Sequence, residues 1–390
     1  MNVTSEIKEQ GMPGVTGQER YARVLVVGGG IGGLSAAIAL RQVGCEVDLV
    51  ELKPTWIRSG VGIIQPGNAL RALDTLGVAQ RCIEQGFAYA GYDYFAADGS
   101  LMYASAGPQL TPGLPAFNGI LRGRLHDILL QRATACGANI RLGLTVAELR
   151  QDATQAQVRF SDSSEAGYHL VVGADGIYSP LRERYFGAAH VATPTGQSVW
   201  RLTMPRPADM TRGVMMLGPS SKAGYVPIAP DLMYLLLVTQ EAAGAQMPRE
   251  RLHLMLQERL EGFGGLVART RHHVVAGSDI VYRPMEVVMM PPPWFTQRLV
   301  LIGDAAHAST PHLGQGAAMA IEDAVVLAEL VGQQLSPALL GERYMQRRYA
   351  RASQIQNASL MVGEYEQGKR PGLDVAQLLQ DMRACAARTI

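Results

Sequence analysis

Residues 23–27 read R-V-L-V-V and run directly into Gly28-x-Gly30-x-x-Gly33. No other feature of the chain narrows its fold so far. A β-branched run of this length suits a strand buried on both faces of a parallel sheet. Residues 34–43 are rich in Ala and Leu, a helix pattern, and 46–51 (E-V-D-L-V-E) read as a second strand. Strand, turn, helix and strand within about 30 residues make a βαβ unit. In that setting Gly28 permits the tight turn, Gly30 lets the backbone approach a pyrophosphate, and Gly33 lets helix and strand pack closely. Free N–H groups at the helix start then hold phosphate oxygens. Glu51 follows Gly33 by 18 positions, about where an acid accepts from ribose hydroxyls. A carboxylate there repels a 2′-phosphate, so the corner suits FAD or NAD.

The same glycines settle how to read the apolar stretch 24–40. It approaches the length of a membrane span, but five glycines in the six positions 28–33 interrupt it. No stable membrane insertion is expected. The start of the chain is polar and has no signal-like apolar core, and residues 1–21 read as a flexible extension. Basic and acidic residues number 35 and 34 in 390, which gives no electrostatic reason to expect a nucleic-acid partner. Four cysteines without a C-x-x-C pair read as reduced thiols in a cytoplasmic protein. The adjacent His272 and His273 lack acids or cysteines at ligand spacing, so no metal site is expected.

Two further buried-strand patterns occupy 169–173 and 298–303. Between them, short runs at 198–203, 213–217, 224–228 and 233–238 alternate with Pro/Gly turns, as in an antiparallel sheet. The fold class expected is α/β: a discontinuous Rossmann-like domain over 22–75, 103–190 and 284–350, interrupted by an antiparallel-sheet substrate domain over 76–102 and 191–283. A helical tail at 351–390 completes it. The run 343–351 (R-Y-M-Q-R-R-Y-A-R) reads first as a solvated helix face, with membrane-surface contact as the alternative. The tail from 367 can dock on the body or on a second subunit, so a homodimer is compatible.

Two segments discriminate between dinucleotides. One is Gly173-Ala174-Asp175-Gly176, continuing to Arg182. The other is Gly303-Asp304-Ala305-Ala306-His307, continuing through Pro311-His312-Leu313-Gly314-Gln315-Gly316. The second is a buried strand, an acid at its end, a Pro/Gly loop and a helix. Such an acid can accept from a polyol, and the loop backbone can approach a flat ring. Together with Gly60-x-Gly62-Ile63, Asn68-Ala69-Leu70 and Arg122-Gly123-Arg124-Leu125, these segments resemble the fingerprints of the single-component, group A FAD-dependent aromatic hydroxylases with the p-hydroxybenzoate hydroxylase fold. The stretch Ser198-Val199-Trp200-Arg201 is similar to the bacterial subgroup with alkylquinolone 3-hydroxylase and small-heteroaromatic hydroxylases.

The resemblance implies roles. Glu51 would bind the adenosine ribose, with Lys53 and Gly62 also on the cofactor side, and Arg122 would reach the FAD backbone. Asp304 would hold the ribityl and pyrophosphate region. Pro311, Gly314, Gln315 and Gly316 would lie against the isoalloxazine, and Asp175 would serve FAD and the pyridine nucleotide. The family often has arginine directly after the ribose acid; here Leu52 and Lys53 follow. The implied chemistry is reduction of FAD by NADH or NADPH, then transfer of one oxygen atom from a flavin C4a-hydroperoxide to an aromatic or heteroaromatic small molecule. A ring-opening or N-oxidising oxygenase, a reductase and a non-catalytic FAD-binding sensor are the alternatives. On the substrate side, Trp200, Arg201, Tyr225 and Tyr234 are candidate contacts. Arg201 can hold a carboxylate or polarise a carbonyl, and Tyr225 or His312 can assist catalysis, His312 as a base for a ring hydroxyl. Met215, Met216, Met233, Met289 and Met290 can fill core or line a pocket.

Overall fold

The computed structural model describes residues 20–56, 60–242, 245 and 247–390. The extension expected over 1–21 therefore lies almost wholly outside the described residues.

Strand β1, Arg23–Val27, sits in the middle of a five-stranded sheet. Helix α1, Ile31–Gln42, leads from it to β2, Glu46–Glu51. The sheet continues on one side of β1 through Leu170–Gly173 to Leu299–Leu301, and beyond β2 to Asn139–Leu142. All four pairings are parallel. Side chains on both faces of β1 are buried, as expected of a parallel sheet covered on each side. Gly316–Gly332 packs beside α1 and is apolar nearly all round, which suits its burial.

The second sheet has seven strands, ordered Val281–Val287, Thr193–Pro205, Leu232–Gln240, Ser221–Pro227, Gly213–Leu217, Gly91–Ala96 and Leu101–Ala106. It is antiparallel except for one pair: Gly213–Leu217 runs parallel to Gly91–Ala96. The last two strands come from a remote part of the chain, and no hairpin forces their direction. Leu101–Ala106 extends past the expected limit at 102, and Val281–Val287 past that at 283. By contrast, Leu76, Val78, Ala79 and Cys82 belong to the core under the parallel sheet.

The sheet has two differently employed faces, because strand side chains alternate. Trp200, Leu202, Met204, Tyr225, Leu235 and Leu237 point into a core closed by Leu252–Arg259 and Gly265–Thr270. Val199, Arg201, Lys222, Tyr234, Leu236 and Val238 line a cavity on the opposite face.

At the C-terminal end, Pro337–Glu366 is one unbroken helix, so the boundary expected at 350 falls inside it. The expectation of a solvated basic face is corrected here. Arg348 is 0% exposed and Arg351 8%. Arg348 donates to Asp323 Oδ1 at 2.6 Å and Glu322 Oε2 at 3.0 Å, and Arg351 donates to Glu322 at 2.6 and 2.7 Å. The tail from 367 packs on its own body through the helix Val375–Ala387. Among the described residues no helix is long and apolar enough to cross a membrane.

Candidate active site

The cavity, about 520 Å³, opens where β1 ends. Gly28 has φ +109°, and an added Cβ would sit 2.3 Å from the Ala174 carbonyl oxygen. The first corner is therefore a turn that an L side chain can neither adopt nor fit. A Cβ on Gly33 would lie 1.9 Å from the Gly28 carbonyl oxygen, whereas one on Gly30 meets nothing within 4 Å. The open side of Gly30 faces the cavity, and the helix behind it has no acid in its first turn to repel an anion. This cradle fits a pyrophosphate.

Glu51 closes the corner from the second strand. Its Oε2 accepts from the Gly29 N–H at 2.8 Å and its Oε1 from the Lys53 N–H at 3.0 Å. The carboxylate is fixed with lone pairs left for ribose hydroxyls. Lys53 is exposed and contributes its backbone only, while Trp56 packs on Gly29.

Asp175 turns away from the cavity, where its neighbours Ala174 and Gly176 stand. Its Oδ2 accepts from the Leu181 N–H at 3.2 Å, and burial raises its pKa. It secures the start of Pro180–Phe186 instead.

The third corner begins at Gly303, whose φ of +57° swings the chain out of the sheet. Asp304 follows, exposed at the cavity wall. Its side chain makes no hydrogen bond or ion pair among the described residues, and neither does that of Arg122, also on the wall. An acceptor for a polyol and a cation for a pyrophosphate are both available. Pro311, Leu313, Gly314, Gln315 and Gly316 complete the lining here. Gln315 is held by Asn68, whose Nδ2 donates to Gln315 Oε1 at 2.9 Å and to Glu322 Oε1 at 3.0 Å. Gly62 is small for a reason: a Cβ there would strike the Tyr234 ring at 2.1 Å. The donor set fits FAD along its length. Asp304→Ala is expected to lower the flavin bound per purified chain; full occupancy, read from the visible absorbance, would remove Asp304 from that role.

On the substrate side the sequence candidates separate. Arg201 and Tyr234 line the cavity; Trp200 and Tyr225 do not. The indole N–H of Trp200 donates to Thr239 at 3.0 Å, and the Tyr225 hydroxyl pairs with Thr270 at 2.8 Å, both in the core behind the sheet. Adjacent residues of a strand cannot share a face, so Trp200 and Arg201 exclude one another. Tyr225 lies opposite Leu235, the neighbour of Tyr234 in sequence, and so takes the other face. Of the methionines, Met215 lines the cavity, while Met216, Met233 and Met290 are core. Lys222, not among the sequence candidates, also lines the cavity; it shares a strand face with Val226, which pairs with Tyr234.

His312 lies between the flavin loop and the long helix. Its Nδ1 is 2.9 Å from Thr310 Oγ1, and its Nε2 3.2 Å from Glu366 Oε2. Lys222 forms an ion pair with the other oxygen of Glu366. Burial and the Lys222 ammonium lower the His312 pKa, partly opposed by Glu366. Burial alone would raise the Glu366 carboxyl, but Lys222 and His312 hold it down to about 2. A carboxyl depressed on folding contributes stability above its unfolded pKa and loses it as pH falls through the folded one. Wild type is therefore expected to lose, between pH 5 and 2, a stability advantage over Glu366→Gln, read as converging denaturation midpoints. A constant gap would refute the coupling.

A family model described as an FAD binding domain matches residues 21–359. The chain is 32% identical to the 2-heptyl-3-hydroxy-4(1H)-quinolone synthase of Pseudomonas aeruginosa, over 89% of this chain and 90% of that one. It is 27% identical to 3-hydroxybenzoate 6-hydroxylase 1 of Aquipseudomonas alcaligenes, over 88% and 89%. Among solved structures, HpxO of Klebsiella pneumoniae complexed with FAD and uric acid superimposes with a TM-score of 0.81, covering 93% of this chain and 92% of that one at 24% identity. The three glycine-bearing corners and these matches agree, and the chain belongs to the FAD-binding family of flavin-dependent monooxygenases.

Proposed function

We propose that the chain uses NAD(P)H and O2 to hydroxylate a small aromatic or heteroaromatic ring bearing an anionic oxygen, with Arg201 as its anchor. Arg201 carries the reading. Its guanidinium faces the cavity and has no hydrogen bond or ion pair among the described residues. Burial lowers its pKa, Tyr234 opposes this, and Arg122 and Arg283 add to it. A partly desolvated cation among cations favours an anion. The lining as a whole carries Arg122, Arg201, Lys222 and Arg383 against one acid, Asp304. Two relatives are named for a hydroxybenzoate and for a 4-quinolone, rings whose oxygen a guanidinium can grip.

FAD, when bound, supplies the redox chemistry: it takes the hydride and activates oxygen. The chain orients the ring and excludes water. Burial pushes the Tyr234 hydroxyl up to about 12, so it stays protonated and can donate to the ring oxygen beside Arg201. His312, kept neutral near pH 7 by burial, can accept a ring proton at Nδ1 while its Nε2–H stays toward the ionised Glu366. Loss of the ring proton to His312 enriches the ring toward oxygen attack, while the Tyr234 hydrogen bond holds the ring oxygen in place.

Stimulated NADH oxidation with hydroxybenzoates, hydroxypyridines and 4-quinolones, combined with label from 18O2 in the product, tests the reaction. Turnover without incorporated label would make the chain a reductase. Arg201→Ala is expected to raise KM about 10- to 100-fold, the worth of a charge-assisted hydrogen bond, with FAD occupancy unchanged. An unaltered KM would remove Arg201 from the substrate.

A further inference from the structure

One wall of the cavity comes from beyond residue 359, where the family match ends. Leu379, Met382, Arg383 and Ala386 line the cavity, and all four belong to the helix Val375–Ala387. The helix is amphipathic by spacing. Val375, Leu378, Leu379, Met382, Cys385 and Ala386 recur at three- and four-residue intervals and are its only shielded positions.

Its last turn is clamped. Arg71 donates to the carbonyls of Ala386, Ala387 and Arg388 at 3.3, 3.1 and 2.8 Å. Arg351 donates to those of Cys385 and Ala386, the latter at 3.0 Å. Two side chains thus satisfy carbonyls that a helix end leaves without partners. The clamp also reaches the flavin loop. Arg351 holds Glu322, Glu322 accepts from Asn68, and Asn68 holds Gln315. Elsewhere the helix is lightly held: Arg383 donates to Ser105 Oγ, and the connection before it is exposed around Gly368 and Gly372.

We infer that this helix is the substrate-side wall of the chamber, with Leu379 and Met382 selecting the ring substituent. The anionic oxygen sits on Arg201, and an apolar substituent lies against Leu379 and Met382, which share the cavity with Tyr94, Leu110, Phe117 and Met215. Methionine is unbranched and adapts to substituents of differing shape. The substrate class is then a ring acid with an alkyl or aryl arm. The orientation rests on the Arg201 reading above, and the test separates the two.

Holoenzyme is titrated with hydroxybenzoates bearing hydrogen, propyl or heptyl, and in parallel with neutral 4-quinolones bearing the same groups. Binding is read from the perturbed flavin absorbance. Wild type is expected to prefer the alkylated rings, and Leu379→Ala/Met382→Ala to lose about tenfold in affinity for them, as expected for one or two lost methylene contacts, while the unsubstituted ring binds as before. Met382→Trp, at a partly exposed position, is expected to reject the heptyl arm and keep the parent ring. Iodide quenching of the bound flavin and hydrogen peroxide released per NADH should both rise in the double variant. If only the quinolones bind, the anion reading of Arg201 fails, and the wall is still judged by their affinities. Unchanged substituent preference in both variants, with unchanged quenching, would overturn the wall.

Discussion

Arg348→Met is expected to lower the stability of the folded chain by about 3–5 kcal/mol, the cost of stranding buried carboxylates. Arg348 and its partners Glu322 and Asp323 are all 0% exposed. Burial opposes the charge on Asp323, but His307, at 2.6 Å, Arg348 and the Gly303 N–H hold its carboxyl far below the usual range. Without the guanidinium, Asp323 keeps the imidazole, the Gly303 N–H and the Tyr344 hydroxyl, none of them a fixed cation, and Glu322 keeps Arg351 and Asn68. A loss of this size is a large share of the 5–15 kcal/mol typical of whole domains. The pH dependence identifies the cause. In wild type the depressed Asp323 pKa gives stability that is present above about pH 4, the unfolded carboxyl value, and is lost in more acid solution. In the variant the stranded carboxyl is raised instead, so protonation relieves it and the deficit against wild type narrows as pH falls. Urea unfolding at pH 7 and pH 4 measures both numbers. A deficit below about 1 kcal/mol, or one that widens with acid, would show that the network does not carry the load assigned to it. Because Gly303 N–H and Asn68 both end on these acids, flavin occupancy should fall in parallel with stability.

Much of this architecture is written locally. The buried β-branched runs at β1, 170–173 and 299–301 each end at a glycine corner, and each signal spans only a few neighbouring residues. The fold class follows from them because a βαβ unit leaves few topologies. What the chain hides is nonlocal. Arg348 and Arg351 look like a solvated stripe until the acids of another helix, Glu322 and Asp323, are set against them. No pattern within 91–106 announces which strand of the sheet beginning at 193 these residues pair with, or that the pairing is parallel. The wall built by Leu379 and Met382 likewise depends on where the tail docks. Trp200 and Tyr225 are a different case. The period of two along Thr193–Pro205, with Arg201 on the cavity face, already sends Trp200 to the other side. Their aromatic side chains suit a site, but strand parity excludes them from it. Lys222 reaches the cavity through a register that pairs its strand-mate Val226 with Tyr234, which no local pattern reveals.

Gly33→Ala and Gly30→Ala are expected to part company, and their divergence is the sharpest check on the cofactor corner. The methyl of Gly33→Ala would sit 1.9 Å from the Gly28 carbonyl oxygen, a backbone atom of the tight turn. Gly28 cannot move freely to make room. Its N–H donates to the Val50 carbonyl at 2.8 Å, and the Ala174 carbonyl oxygen lies 2.3 Å from where a Cβ on Gly28 would stand. The turn must deform, and overpacking of this kind costs about 1–3 kcal/mol, so unfolding of the apoprotein should occur at lower denaturant. Flavin affinity should fall with it, since the deformed turn presents the phosphate-binding amides. Gly30 has extended backbone, φ −74° and ψ −175°, which any residue adopts. Its methyl meets no protein atom within 4 Å and projects into the cavity. Gly30→Ala should therefore leave apoprotein stability within about 0.5 kcal/mol of wild type while lowering FAD affinity about as steeply, because the methyl takes the space that the pyrophosphate needs. Unfolding of the flavin-free proteins and flavin titration by fluorescence quenching separate the cases. If Gly30→Ala bound FAD as tightly as wild type, the pyrophosphate would lie elsewhere, and Glu51, Arg122 and Asp304 would lose the common ligand that joins them.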